Sequence, residues 1–468
     1  MKKGDWFMFS WLDNYLKRWK EMDDLYTKLF VTFLLLMVCR VGMFLPVPGI
    51  DGEYAIRLFQ YATKGEQNVF QILDVFSGGA FAQMTIFALG VMPYITASIF
   101  VQVGMIFLPH LQREMYENPE LGRRKLSKIS RVATLFIAFI QAVLFVRYAV
   151  QRSRLMPGII ASEFIHADGS WPWLFMVLSV ASMVTGTLLL MWIGEQITEF
   201  GVGNGTSLII ALGILSSFPS MVGVLLKQMN LDSQEVGPIS FTTLLLLCGL
   251  FVLVLIGTTM MINGERRISL QYARRTIGQR QVQGKGASYF PLKVNYVGVM
   301  PVIFAVSVLS FPGFILELLG WNDGWTSSFA SFLVPGRLSY VAIYVVLIFF
   351  FSYFWTSMQF RPDRIASDMK RSGAFIAGVK QGGATEAYLG KAMQRILFIG
   401  ASTLALIALF PMMLGKILMI DPSIAQFFGG TTLLVFVGVV LDTRKQIESH
   451  AMMRKYEGMM RSTTRVKV

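Results

Sequence analysis

Long apolar runs alternate with polar or basic connections along almost the whole chain. Read with about a 19-residue window, the runs lie near 27–45, 84–108, 129–150, 172–193, 206–226, 239–262, 295–319, 338–358, 392–414 and 424–441. Roughly 20 apolar residues cross hydrocarbon as a helix, and a helix satisfies each backbone N–H and C=O within one segment. The pattern predicts an all-α integral membrane protein of ten transmembrane helices. One further stretch, Val69–Ala80, is apolar but too short to cross. It is predicted either to re-enter the membrane or to lie along its surface. Gly78-Gly79 would be its hinge, because glycine reaches backbone angles that other residues avoid.

Composition agrees with the pattern. The 468 residues are 54% hydrophobic and only 15% charged, against about 25% charged in soluble domains. The 42 lysines and arginines outnumber the 28 acids, and their placement is uneven. Residues 1–28 and every second connection (109–128, 194–205, 263–294, 359–390 and the tail after 441) hold 30 of the 42. The positive-inside rule puts that side, and both termini, in the cytoplasm.

Two of the basic connections are too long to be simple turns. The first, 263–294, carries Arg266, Arg267, Arg274, Arg275 and Arg280; the second, 359–390, carries Arg361, Arg364, Lys370, Arg371 and Lys380. Clustered cations on a rigid scaffold suit an anionic partner, whether lipid, RNA or an acidic protein surface.

Several chemistries are absent from the pattern. Arg40, Arg131, Lys391, Arg395 and Asp442 sit near span ends, where long side chains reach the interface. No embedded acidic pair or proton relay of the kind that marks ion-coupled transport is seen. His110, His166 and His450 lie in separate connections or the tail, without metal-ligand spacing. The glycine-rich Gly201–Ser207 lacks the lysine of a phosphate-binding loop. Cys39 and Cys248 sit in apolar runs and read as small hydrophobes. The chain reads as neither an enzyme nor a cofactor protein.

Five motifs, in order along residues 25–445, resemble the SecY family of protein-conducting channels. They are Phe76–Ala80 continuing through Ile86–Ser98; Gly194–Glu199 with Gly203-Asn-Gly205; Gln271–Arg275 with Pro291–Asn295 and Gly298–Phe304; Ser372–Gly378; and Gly429–Leu434. The resemblance implies two pseudo-symmetric five-helix halves around an hourglass pore, divided as 27–226 and 227–441, with a cytoplasmic segment 1–26 and a basic tail 442–468. It places an apolar pore ring on Val91, Ile95, Thr206, Ile210, Ile303 and Val435. It places a sealing plug on residues 70–80, including Ile72, Leu73, Val75, Phe76, Ser77, Gly78 and Gly79. Spans 2 and 3 against 7 and 8 would open sideways to release apolar signal sequences into lipid. The implied partners are the SecE and SecG membrane subunits, the SecA motor ATPase, the ribosome and the translocating polypeptide, in a bacterial cytoplasmic membrane.

Three positions depart from the family pattern: Lys380 stands where an arginine is usual, Thr206 puts a hydroxyl in the ring, and Gln381-Gly382-Gly383 replaces a stiffer stretch. Next to the glycine-rich turn, the Thr206 hydroxyl is expected to return to the carbonyl of Val202 or Gly203. The reading from a different class is an inverted-repeat secondary transporter for a small solute; a third is an insertase without a through-pore.

Overall fold

Helices form along the apolar runs, and their outward faces are apolar too. The computed structural model describes residues 24–62, 69–108, 114, 118–153, 160, 173–229, 241–272, 276–277, 280–281, 288–296, 298–319, 332–334, 337–417 and 431–465. In chain order the helices are α1 (Asp24–Gly42), α2 (Gly52–Ala62), α3 (Val69–Ser77), α4 (Met92–Gly104), α5 (Pro119–Ser153), α6 (Trp173–Phe200), α7 (Gly205–Met229) and α8 (Phe241–Asn263). Strands β1 (Glu265–Tyr272), β2 (Thr276–Ile277), β3 (Arg280–Gln281) and β4 (Ser288–Lys293) follow. After them come α9 (Met300–Leu319), α10 (Leu338–Gln359), α11 (Pro362–Ser372), β5 (Ala374–Ile376), α12 (Gly383–Ile417) and α13 (Thr431–Arg465).

Among the described residues, α1, α5, α6, α8, α10 and α12 are long and apolar enough to cross a membrane. Met92–Gly104, Gly205–Ser220 and Met300–Leu316 are shorter apolar helices. Phe33, Leu245 and Val346 are 61%, 65% and 66% exposed. In water such faces would forgo about 25 cal/mol for each Å² left unburied; against lipid they forgo nothing.

Two compact units divide the chain. The first comprises Met1–Lys64, Ile72–Ser217 and Val439–Val468. In it α4 packs on α5, α5 on α6, and α1 on α6, with Phe145, Phe175 and Met183 in the core. The second comprises Gly65–Gln71 and Phe218–Gly438. There α9 packs on α10, and α12 receives α8, α10 and α11. Phe304 of α9 meets Phe351 and Trp355 of α10 edge-on, at 5.8 and 5.2 Å.

Two boundaries and one pairing differ from the sequence expectation. The second run, expected to be helical from 84, becomes helix only at Met92. Residues 78–91 form turns instead, because Gly78, Gly79, Met84 and Gly90 all take positive φ. Their backbone pairs with a neighbour: Val47 N–H donates to the Met84 carbonyl and Ile86 N–H to that of Leu45. The last helix starts at Thr431 and runs on to Arg465, far beyond the apolar stretch; residues 424–430 lie outside the described residues.

The third difference concerns the two basic connections, which share one sheet. In the strand order β4-β1-β5, Ile268 stands opposite Phe290, and Leu270 opposite Ile376 more than a hundred residues on. Beneath the sheet Ile268, Leu292 and Ile376 pack with Phe360, Met369 of α11, and Leu389 and Met393 of α12. α11 is well framed for its length. Asp363 lies in its first turn and Lys370 and Arg371 in its last, the arrangement the helix dipole favours.

Candidate functional site

The short apolar segment folds as α3, one helical stretch that ends where Gly78 takes φ 70°. Ile72, Phe76 and Ser77 are buried, while Leu73, Val75, Gly78 and Gly79 are partly so. Its end is tied into a compact turn. The Asp74 carbonyl accepts from Gly79 N–H (3.0 Å) and from the Ser77 hydroxyl (3.1 Å). The Ser77 oxygen in turn accepts from Phe81 N–H (3.0 Å). The Asp74 carboxylate accepts from Ala82 N–H at 2.8 Å. Burial pushes that carboxyl up to about 6, with the Ala82 hydrogen bond pulling the other way.

The turn rests directly on α7. A Cβ on Gly213 would lie 2.6 Å from the Phe76 carbonyl oxygen, and one on Gly78 would lie 2.9 Å from the Gly213 Cα. Backbone therefore meets backbone, with room for no side chain on either partner. Gly213 is about one turn along α7 from Ile210, so the α3 turn and Ile210 lie on one face of that helix.

The ring positions fall in the opening turns of four helices. Val91 caps α4, and Ile95 N–H donates to its carbonyl at 3.1 Å. Thr206 and Ile210 are in the first two turns of α7, Ile303 is in the first turn of α9, and Val435 is in the second turn of α13. Val91, Ile95, Ile210, Ile303 and Val435 are all buried, at 5% exposure or less. The Thr206 hydroxyl corrects the expectation from sequence. It donates to the Asn204 side-chain oxygen at 2.6 Å, not to a carbonyl of residue 202 or 203. Asn204 also accepts from Ser207 N–H (3.4 Å), so its short side chain caps α7 and offers the hydroxyl a nearer acceptor.

The basic residues stand on the sheet and beside it. Arg266 and Arg267 on β1, Arg364, Lys370 and Arg371 on α11, and Lys380 in the following turn are all exposed. Arg267 pairs with Glu265 (2.8 Å) and lies 4.8 Å over the Tyr289 ring. Arg280 is in β3; Arg274 and Arg275 lie outside the described residues. Sequence reasoning missed Asp74 and Gly213. Asp74 had one signal, being the single acid in the apolar run 69–76; Gly213 had none.

The SecY family profile matches residues 85–444. The protein translocase subunit SecY of Chlamydia trachomatis serovar D is 49% identical over 442 residues, which cover 94% of this chain and 96% of that protein. The fold is shared with a solved protein-conducting channel, at a TM-score of 0.62 and 20% identity over 91% of this chain and 92% of that one. Sec61 in the canine ribosome–channel complex from the endoplasmic reticulum is similar at a TM-score of 0.59 and 18% identity, with the same coverage. Nearly full-length identity of this degree, with the family's own profile across most of the chain, shows that the chain belongs to the SecY family.

Proposed function

We propose that the chain is the central pore-forming subunit of a protein translocase, which passes unfolded secretory polypeptides across the membrane and releases hydrophobic segments sideways into lipid. The observation that carries this reading is the near-full-length identity to the SecY translocase subunit of Chlamydia trachomatis. In the proposal ten helices span a bacterial cytoplasmic membrane with both termini in the cytoplasm. The ring that the family resemblance assigns to Val91, Ile95, Thr206, Ile210, Ile303 and Val435 is, in this proposal, the constriction. A narrow apolar passage gives ions no substitute for hydration, yet it yields around a polypeptide without reading its sequence. The α3 turn is the plug. With SecE, SecG and SecA reconstituted, a stalled secretory chain should crosslink to photoreactive groups at Ile210 and Ile303. Contact at neither, with gradient-driven uptake of a small solute instead, would move the protein to the secondary transporters.

The same proposal makes the sheet and α11 the docking face for the ribosome and the motor ATPase. Sec61 is a related channel found in complex with a ribosome, and the exposed Arg266, Arg267, Arg364, Lys370 and Arg371 match the charge of such a partner. Reversing Arg266 and Arg267 to glutamate is expected to cut translocation several-fold without loss from the membrane, because neither side chain is buried. Unchanged translocation, measured alongside protein abundance, would leave the two arginines with a topological role only.

A further inference from the structure

The turn between α6 and α7 is held from three directions. The Gly201 N–H still donates to the Ile197 carbonyl of α6 at 2.8 Å, but the N–H groups of Val202, Gly203 and Gly205 take side-chain acceptors. Thr32 of α1 accepts from Val202 N–H at 2.9 Å. Gln446 of α13 accepts from Gly203 N–H at 2.8 Å. Thr198 of α6 accepts from Gly205 N–H at 2.8 Å. The two threonine hydroxyls are themselves anchored, donating to Lys28 and Gly194 carbonyls at 2.8 Å each. Gly203 takes φ 94°, where other residues are strained, and a Cβ there would come within 3.1 Å of the Thr443 hydroxyl, also on α13.

The three acceptors are not equivalent. Thr32 and Thr198 belong to helices that already pack together as α1 on α6. Gln446 belongs to the polar extension of α13, which begins after the apolar stretch and continues to Arg465. Its contact joins residues 243 apart in sequence, and the turn it holds leads directly into Thr206 and Ile210. A backbone amide that loses its partner has to find another or shift. A displacement of the α13 extension is thus passed to the start of α7.

We propose that Gln446 is a positioning residue for the pore: by accepting the Gly203 N–H it fixes the entry of α7, and it couples the α13 extension to the residues of the constriction. The inference rests on the reading of Thr206 and Ile210 as pore-lining. Gln446→Leu removes the acceptor at nearly the same volume, whereas Gln446→Glu keeps an acceptor oxygen at the same reach. A net hydrogen bond corresponds to roughly two- to ten-fold in an equilibrium. In the reconstituted translocase, Gln446→Leu is expected to raise translocation of substrates with defective signal sequences by about that factor, and Gln446→Glu to return it toward wild type. Membrane abundance should be the same for all three proteins.

Ile210→Asn is the companion variant, measured on the same substrates. If it relaxes signal-sequence selectivity while Gln446→Leu does not, the positioning role is overturned and the pore reading stands. If neither variant changes selectivity, the pore reading fails and the inference fails with it. Relaxed selectivity in both Gln446 variants alike would mean that the acceptor oxygen is not what matters, which also overturns the proposal.

Discussion

Gly213→Val is expected to raise the resting ion conductance of the channel about ten-fold or more, with the protein still present in the membrane. The Phe76 carbonyl is 2.6 Å from where the new Cβ would stand, and the Gly78 nitrogen is 3.2 Å away. Both are backbone atoms, so no side-chain rotation relieves the clash. Overpacking of this kind costs typically 1–3 kcal/mol, and every 1.4 kcal/mol is ten-fold in an equilibrium. The strain falls on the weaker element. α7 is a long helix, and valine is the better helix former of the pair; the α3 turn is short and glycine-hinged. The turn should therefore leave, and α7 should stay. Single-channel recordings of Gly213→Val and Gly213→Ala against wild type are the measurement, since both variants carry the clashing Cβ. A valine variant as tight as wild type, at normal abundance, would mean that α3 does not seal by resting on α7.

How much of this could be read beforehand depends on the distance over which each feature is encoded. Spans such as α8 and α10 were legible because the bilayer requires a continuous apolar run, and hydropathy reports that locally. The α3 segment was legible as non-spanning for the same reason: Val69–Ala80 is too short. The late start of α4 was not. Residues 84–91 are as apolar as a span, and what unwinds them is backbone pairing of Val47 with Met84 and Leu45 with Ile86. The sheet was hidden more deeply. β1 alternates polar and apolar residues only over Arg267–Tyr272, a stretch short enough to pass for part of a polar loop, and its partner β5 lies in the other basic connection. Charge marked both connections as sites but could not reveal that they form one surface.

Within the candidate site, motif resemblance supplied the ring and plug positions, while contacts supplied what holds them. Nothing near Gln446 in sequence points to Gly203, nor does anything near Thr32 point to Val202. These partners meet only after α1, α6 and α13 have packed. The Thr206 hydroxyl is a different case, because its partner lies only two residues away. Reasoning from the helix backbone favoured a carbonyl one turn back, but the Asn204 cap sits closer and takes the proton donor first.

In the proposal that α3 is the plug, Asp74 should make the seal sensitive to pH. Its carboxylate is partly buried at the end of α3, where burial holds the carboxyl at about 6 against the Ala82 N–H, which stabilises the charged form. Once the plug is displaced into water, the same group titrates near its ordinary value of about 3.9. The closed plug thus binds its proton more tightly than the displaced plug does. Closure is favoured most below about 4, weakens as pH rises toward 6, and is flat above that, where the carboxylate is ionised in both states. Resting conductance is expected to climb between about pH 4 and pH 6, by roughly ten-fold after discounting for the partial exposure of the side chain. Asp74→Asn keeps an oxygen for the Ala82 N–H but carries no charge, so it should hold the plug closed across the range and abolish the step. Asp74→Ala leaves that N–H without its acceptor and should leak more at every pH, also without a step. A wild-type pH profile in Asp74→Asn would assign the titration to another group and remove Asp74 from the seal.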